Sequence, residues 1–342
     1  MTSRRLALTR AGVLLTAAPF VVLLSAAAAI TVGPSDISTL DVYGVVAAKL
    51  GLGTSELTLI QQGIVWDLRL PRTVLAGICG AGLAICGVIL QSLLRNPLAD
   101  PFVLGISSGA STGAVAIVVL GIGAGSIGLS AGAFVGALAS FALVIALATL
   151  AGGTTDRLVL SGIAATQLFS ALTSFIVFTA ADAEQTRGVL FWLLGSLSTA
   201  SWTDVIVCGG VVLFGLVLCL GTASWLDAFA FGADAASSLG VNVARTRMLL
   251  LILTALMTAV IVSTSGAIGF VGLVLPHLAR AIVGVGHRLL LPSAALIGAI
   301  FLIWVDTAAR TVLDPQELPV GVATALIGVP AFALVLLRSR RA

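Results

Sequence analysis

The sequence predicts an all-α membrane protein, a polytopic bundle of about ten transmembrane helices. Of its 342 residues, 59% are apolar and only 9% are charged, whereas a soluble domain carries about 25% charged residues. Apolar runs of roughly 20 residues, the length that a helix needs to cross the hydrocarbon core, recur along the whole chain. A porin-like barrel is excluded, because its strands would alternate polar and apolar residues and these runs do not.

Ten apolar segments can be placed, each to within a few residues, and we treat 1–342 as a single transmembrane domain. The first follows three arginines but is longer than the apolar core of a signal peptide, so we expect an uncleaved span. The segment 187–200 is too short to span and should lie at the outer interface or re-enter. The predicted spans are 11–32, 71–94, 102–122, 127–150, 159–181, 204–223, 248–266, 267–284, 292–311 and 320–337.

The basic residues of the short loops predict the orientation. With the N-terminus in the cytoplasm, twelve of the seventeen Lys and Arg residues lie on the cytoplasmic side and five lie outside. Ten spans then leave both termini in the cytoplasm. The five outer residues are Lys49, Arg69, Arg72, Arg187 and Arg310.

The stretch WDLRLPR (66–72) breaks this charge pattern. An arginine at the centre of a span costs about 2.5–3.5 kcal/mol, so we expect these residues at the outer interface. Trp66 suits the aromatic belt there, and Pro71 suits the first turn of a helix. Farther along the chain, Asp306 and Arg310 are four residues apart in the ninth span, where they can pair on one helix face.

Several kinds of chemistry are disfavoured. The chain has one lysine, Lys49, and no G-x-x-x-x-G-K-[ST] loop, so it lacks that device for binding and hydrolysing ATP. Its two histidines form no metal-binding motif. Few ionisable groups lie within the spans, which gives little support to an ion-coupled carrier, and no nucleophile–base pair can be placed at matching depth for an intramembrane enzyme. The cysteines lie in apolar runs and are interpreted as small packing residues, namely Cys79, Cys86, Cys208 and Cys219.

Four stretches are unusual for loops between spans: 91–110, 225–247, 266–288 and 306–321. The first contains Asn-Pro and Asp-Pro, which favour rigid turns. The second is too polar to span, yet spaced apolar residues suggest a helical hairpin on the membrane surface with a face for a partner. Those apolar residues are Leu226, Phe229, Leu239 and Val241.

Five motifs drawn from 69–72 and these stretches resemble the FecCD-type permeases, the membrane subunits of ABC importers for iron(III)-siderophores, haem and cobalamin. In family order they read RLPR, QSLLRNPLADPFVLGISSGA, GADAASSLGVNVAR, GAIGFVGLVLPHLAR and ELPVGVATALIGVPAF. The resemblance implies a type II ABC importer permease fold with ten helices per subunit, in the cytoplasmic (inner) membrane of a bacterium. It also implies a second permease copy or paralogue, two cytoplasmic ABC ATPase subunits and an extracytoplasmic substrate-binding protein. On this basis no cofactor binds this chain, ATP and Mg bind the partner ATPase, and the surroundings are membrane lipid with no nucleic acid.

The resemblance also implies roles for individual residues. Binding-protein docking is expected at Arg69, Arg72 and Arg310. ATPase coupling is expected at Gly232, Ala233, Asp234, Ala235, Leu239 and Gly240. A cytoplasmic gate is expected at Asn96, Leu98, Thr155 and Asp156, the last two matching a Thr-Ser pair in the related cobalamin importer. Pathway-lining positions are Gln167, Ser170, Thr173, Ser174, Thr324 and Phe332.

The function implied is translocation of an iron(III)-siderophore, by a chain that is itself no enzyme, with ATP hydrolysed on a separate chain. A haem or cobalamin permease shares the same motifs and remains the alternative. An ion-coupled secondary transporter is the alternative of another class, and transport by the purified chain alone would distinguish it.

Overall fold

The structure, a computed structural model, describes residues 2–33, 37–121, 128–180, 182–313 and 315–339. Within those ranges every regular element is helical. Of the basic residues counted on the cytoplasmic side, Arg340 and Arg341 lie outside the described residues. The α-helices are α1 (Thr2–Thr31), α2 (Thr39–Lys49), α3 (Leu59–Gly63), α4 (Leu70–Leu93), α5 (Ile106–Leu120), α6 (Leu129–Leu150), α7 (Thr155–Ala180), α8 (Ala183–Leu193), α9 (Trp202–Gly221), α10 (Ala223–Ala230), α11 (Ala233–Ser238), α12 (Val243–Ser265), α13 (Val271–Val283), α14 (His287–Ala309) and α15 (Val320–Ser339).

Each predicted span coincides with an apolar helix. In the part of the chain that the structure describes, six helices are long and apolar enough to cross a membrane, and four further apolar helices are shorter. These ten helices correspond one to one with the ten predicted spans. The shorter four are parts of α1, α5, α13 and α15. Segment 187–200 contains only the end of the 11-residue helix α8, in keeping with its predicted failure to span.

Helix α4 is the centre of the bundle, and almost every side chain from Pro71 to Leu93 is buried. Small residues allow its neighbours to approach closely. A Cβ on Gly80 would lie 2.1 Å from the carbonyl oxygen of Gly298 on α14, and a Cβ on Gly113 of α5 would lie 2.1 Å from that of Gly132 on α6. The glycine-rich spans are therefore packing surfaces, as is usual for membrane helices.

The stretch WDLRLPR lies inside a helix rather than at its beginning. A π-helical segment, Ile64–Arg69, joins α3 to α4, so one continuous helix runs from Leu59 to Leu93. Pro71 explains the wider turn. The Leu70 N–H donates to the Val65 carbonyl, five residues back, and Pro71 has no N–H to give to Trp66. The Trp66 carbonyl instead accepts from Trp202 Nε1 at 3.0 Å.

Candidate translocation and coupling sites

Three arginines gather where α1 and α14 end and α4 begins, a region that we call the arginine end. Arg72 holds two carboxylates. Its Nε and Nη2 donate to Asp306 over 2.9–3.1 Å, and its Nη1 donates to Glu317 over 2.9–3.0 Å. The side chain of Asp306 is 2% exposed and that of Glu317 is 39% exposed. Arg72 therefore bridges one buried carboxylate and one that solvent can reach.

Arg69 and Arg310 cap the last turn of α1. Arg69 Nη1 donates to the Ile30 carbonyl at 2.9 Å, and Arg310 Nη2 donates to the Ala29 carbonyl. The last carbonyls of a helix lack helical partners and carry partial negative charge, so guanidinium groups stabilise them. The expected pairing of Asp306 with Arg310 is not what the structure shows, because Arg72 on the neighbouring α4 takes the Asp306 carboxylate.

The predicted docking arginines line a cavity instead of projecting from the surface. Arg69 and Arg72 are buried in the single chain. Arg310 is half-buried, and its Nε is buried without a hydrogen-bond partner in the described structure. The sequence analysis did not include Glu317 among the site residues, although Glu317 begins the motif ELPVGVATALIGVPAF. The cavity has a volume of about 670 Å³ and is lined by Gly33, Ile64, Leu68, Ser198, Thr311 and Pro315 together with Arg69, Arg72, Arg310 and Glu317.

The segment predicted for ATPase coupling forms two short helices at the opposite end of the bundle, which we call the α11 end. Gly232, with φ of +108°, turns the chain between α10 and α11. Ala233 and Asp234 are exposed, Ala235 is half-buried, and Gly240 leaves the segment with φ of +82°. Gly232 itself is buried, so five of the six coupling positions reach the surface, and the segment ends at the exposed Leu239 and Gly240.

The apolar face of this segment differs from the predicted one. Leu226 and Phe229 are buried in the bundle, and Val241 is half-buried. The large apolar side chains that the segment exposes most are Phe231, at 80%, and Leu239, at 72%. The sequence spacing predicted one continuous hairpin face, whereas the turn at Gly232 directs α10 inward and leaves α11 at the surface.

Both predicted gate loops lie at the α11 end. Asn96 and Leu98 are exposed in the turn after α4, and Asn96 Oδ1 accepts from the Leu98 N–H at 2.9 Å. Thr155 and Asp156 begin α7. Arg247 of α12 donates to the Gly153 carbonyl and to Thr155 Oγ1, both at 3.3 Å. Sequence reasoning assigned Arg247 no role, although it is the last residue of the predicted stretch 225–247.

The predicted pathway residues separate into exposed and buried groups. Gln167, Ser170 and Ser174 are exposed along one side of α7. Thr173 is buried against α5, where its hydroxyl lies 2.8 Å from Thr112 Oγ1. On α15, Phe332 is half-buried. Thr324 is fully buried and donates to the Gly321 carbonyl, so it does not reach the exposed face in this single chain.

An apolar cavity of about 580 Å³ lies between the end of α8 and the first turns of α15. The cavity is lined by Leu193, Leu194, Ala267, Gly321, Val322, Ala325, Leu326, Val329 and Pro330.

The four cysteines are buried and unbridged, in line with a packing role. Among the described residues no group of three or more His, Cys, Asp or Glu side chains is placed to hold a metal ion.

Ten apolar helices, an arginine-lined cavity at one end and an exposed short helix at the other define a polytopic helical membrane protein. The profile of the FecCD transport family matches residues 20–338. The chain belongs to this family, and it is accordingly a multi-pass membrane permease of the ABC transporter class.

Proteins similar to this chain are named as permeases for different cargoes. The chain is 44% identical to a cobalamin import system permease of Halobacterium salinarum, over 86% of this chain and 78% of that one. It is 41% identical to a hemin transport system permease of Yersinia pestis (81% and 83%) and 33% identical to an Fe(3+)-citrate import system permease of Bacillus subtilis (91% and 90%). A solved structure described as an inward-facing conformation of a metal-chelate type ABC transporter is 30% identical, with a TM-score of 0.83 over 95% of this chain and 98% of that one.

Proposed function

We propose that this chain is the membrane subunit of an ABC importer that moves an iron(III)-siderophore across the cytoplasmic membrane. The observation that carries the proposal is the likeness, over 95% of the chain, to the metal-chelate type transporter structure. The Fe(3+)-citrate permease among its relatives supports an iron-chelate cargo. The arginine end faces outward and both termini face the cytoplasm, in keeping with twelve of the seventeen basic residues on that side.

The energy comes from a separate ABC ATPase that binds ATP and Mg. The chain offers no phosphate-binding loop of its own. It offers instead the exposed α11, flanked by Phe231 and Leu239, at the cytoplasmic end. An apolar pair on a short surface helix suits insertion into a groove of a partner. Movement of the ATPase is thereby passed to the gate loops at Asn96–Leu98 and Thr155–Asp156.

A substrate-binding protein docks at the arginine end through its own carboxylates. Arg72 already bonds Glu317, so a docking carboxylate has to compete with Glu317 for the Nη1 side of that guanidinium. The buried bonds to Asp306 can stay in place during this exchange. Arginine suits the role because its planar fork binds a carboxylate through two hydrogen bonds.

A second permease copy or paralogue covers the exposed side of α7. Gln167, Ser170 and Ser174 put polar groups on a helix that is long enough to span, and unsatisfied polar groups are costly in lipid. Contact with a second subunit, or with a water-filled pathway between the two, removes that cost. Thr173, Thr324 and Phe332 then pack behind the surface that lines the pathway, since none of them is fully exposed.

Haem or cobalamin is the alternative cargo, and one observation favours it. The cavity beside α15 is almost wholly apolar, which suits a large ring with an apolar face. The cobalamin and hemin permeases are also more similar to this chain than the Fe(3+)-citrate permease is.

Reconstitution with a candidate ABC ATPase and a candidate substrate-binding protein from the same organism tests the proposal. Proteoliposomes would be supplied in turn with a radiolabelled ferric siderophore, hemin and cobalamin, with and without ATP. We expect siderophore uptake that requires ATP and all three proteins. ATP-dependent uptake of hemin or cobalamin alone would establish the alternative cargo. Uptake by the chain alone under a proton gradient would establish a secondary transporter.

A further inference from the structure

A buried histidine connects three helices at the α11 end. His287, at the start of α14, is 2% exposed. Its Nδ1 lies 2.6 Å from Asp227 Oδ1 on α10, and its Nε2 lies 2.7 Å from Ser92 Oγ on α4. The His287 backbone N–H donates to the same Asp227 oxygen at 3.0 Å. We call this arrangement the Asp227–His287–Ser92 relay.

The relay makes strict demands on the positions of the helices that form it. Asp227 as a carboxylate can only accept a hydrogen bond, so the hydrogen of the neutral His287 ring lies on Nδ1. Nε2 is then an acceptor, and the Ser92 hydroxyl donates to it. A buried ring nitrogen that loses its hydrogen-bond partner is left desolvated and unsatisfied, which destabilises that arrangement. His287 is therefore fully satisfied only while α10, α4 and α14 keep this mutual placement.

The relay resembles the residue set of a hydrolase but lacks the access that catalysis requires. The sequence offered no nucleophile–base pair, and the fold does bring Ser92 to His287. Ser92 is buried, however, and its hydroxyl also lies 2.9 Å from the Val88 carbonyl of its own helix. A substrate cannot reach that oxygen, so the contact serves position rather than reaction.

The two ends of the relay adjoin the two moving parts of the proposed cycle. Asp227 lies five residues before Gly232, where α11 begins to turn outward. Ser92 lies four residues before Asn96 of the gate loop. The preceding residue, Gln91, is anchored separately to α13 through the Gly272 and Leu273 carbonyls, at 3.2 Å each. The end of α4 is thus held from two sides, and one of these sides belongs to the coupling segment.

We propose that His287 is a positioning residue that passes movement of α10 and α11 to the end of α4 and its gate loop. The inference rests on the proposed coupling of α11 to an ATPase. When the ATPase shifts the coupling segment, Asp227 moves His287, and His287 moves Ser92 or releases it. Without the relay, α11 still seats on the ATPase, but the gate loop no longer follows it.

The test uses the full complex of chain and ATPase in nanodiscs, with Leu98→Cys as the reporter in every variant. Leu98 is exposed, whereas the four native cysteines are buried. The rate of thiol labelling is measured without nucleotide and with ATP plus vanadate. His287→Ala and Asp227→Ala should retain ATPase association. Their nucleotide-dependent change in labelling should fall about fivefold or more, the lower bound of ordinary coupling between sites.

His277→Ala is the matched control, since within the described part of the chain the His277 side chain bonds only the Leu273 carbonyl of its own helix, at 3.0 Å. It should respond as the Leu98→Cys parent does. A purely structural role would lower the melting temperature of His287→Ala and leave the response of the folded complexes unchanged, which would overturn the relay. If His287→Ala fails to fold, Asp227→Ala decides, because the Asp227 side chain is 44% exposed.

The outcomes separate the two proposals. A parent complex that responds to nucleotide, together with variants that respond equally, refutes the relay alone. A parent chain that binds no ATPase, or does not respond to nucleotide, refutes the proposed coupling function and with it the relay.

Discussion

Arg72 shows how a single side chain can be misjudged from its surroundings in sequence. The spacing of Asp306 and Arg310 indicated a pair within α14, since residues four apart share a helix face. The fold supplies a competitor from 234 residues away, because α4 and α14 cross closely where Gly80 meets Gly298. Local spacing predicts which residues can meet, but it does not include partners from other helices. A charge reversal at Arg72 would consequently disturb folding as well as docking.

Removal of the Arg72 side chain should destabilise the protein strongly. Arg72→Ala leaves the buried Asp306 carboxylate without its ion pair, and breaking a buried pair costs about 3–5 kcal/mol. Adding Asp306→Asn removes the uncompensated charge and should restore part of the loss. Thermal unfolding in detergent measures both effects. Equal stability of Arg72→Ala and the parent would contradict the buried pair.

Neutralising Glu317 should strengthen docking of the binding protein. Glu317→Gln removes the carboxylate that competes for Arg72 Nη1, so the dissociation constant should fall by up to about fivefold at low salt. Glu184→Gln is the control, because Glu184 is an exposed acid on α8 with no recorded ion pair. Surface plasmon resonance at two salt concentrations gives the comparison. An unchanged affinity for Glu317→Gln would exclude Arg72 from docking.

Asp100 should make stability depend on pH. Burial raises the pKa of this carboxyl from 3.8 to about 6, against the lowering effect of its bond from the Phe102 N–H. The folded state then binds more protons at Asp100 than the unfolded state between these values, so the contribution of Asp100 to stability is fully present below about pH 4 and is lost as the pH rises through 6. Asp100→Asn keeps the acceptor and should add up to about 3 kcal/mol at pH 7.5. Melting temperatures of both forms at pH 5 and 7.5 test this, and identical pH slopes would disprove it.

At the scale of elements, two short helices lie in the stretch 225–247 as predicted, but their exposed face differs from the predicted one. Alternating apolar and helix-forming residues predicted a helical hairpin over 225–247, and α10 and α11 lie there. Which face points outward depends on the turn at Gly232, whose φ of +108° has no signature in the spacing of apolar residues. The exposure of Phe231 was not predicted for this reason, since Phe231 lies just before that turn.

Charges on the exposed face of this segment should abolish ATPase binding. Phe231→Asp with Leu239→Asp places two carboxylates where an apolar groove is expected to receive the segment. Co-purification of the ATPase with the tagged chain measures the loss. Val285→Asp is the control, because Val285 is 75% exposed between α13 and α14, outside the coupling segment. Retained co-purification in the double variant would remove this surface from the interface.

For the whole molecule, hydropathy predicted all ten apolar helices because the length of a span is a local property of the chain. The polar contacts that hold the spans together could not be predicted from the sequence. Ser92 and His287 are 195 residues apart, and each alone is an ordinary residue near the end of a helix. The side of α7 that carries Gln167, Ser170 and Ser174 was identified by family resemblance, and its exposure depends on how α5 and α6 pack.

The purified chain should hydrolyse no ATP. Its single lysine, Lys49, lies at the end of the short helix α2, far in sequence from any glycine-rich phosphate loop. Phosphate release by the chain alone should equal that of empty nanodiscs and should rise only when the ATPase is added. Turnover that follows the chain at constant specific activity through successive purification steps would contradict this expectation.

The π-helical segment before RLPR changes the rotation, about the axis of the long helix, of the residues that precede it relative to those that follow it. Each residue of a helix turns the chain by about 100° and advances it by about 1.5 Å. Deleting one residue between Ile64 and Arg69 would restore ordinary spacing and rotate everything before it, including the Trp66 carbonyl that meets Trp202. The number of residues upstream of RLPR, and not the motif alone, therefore decides which side chains border the arginine-lined cavity.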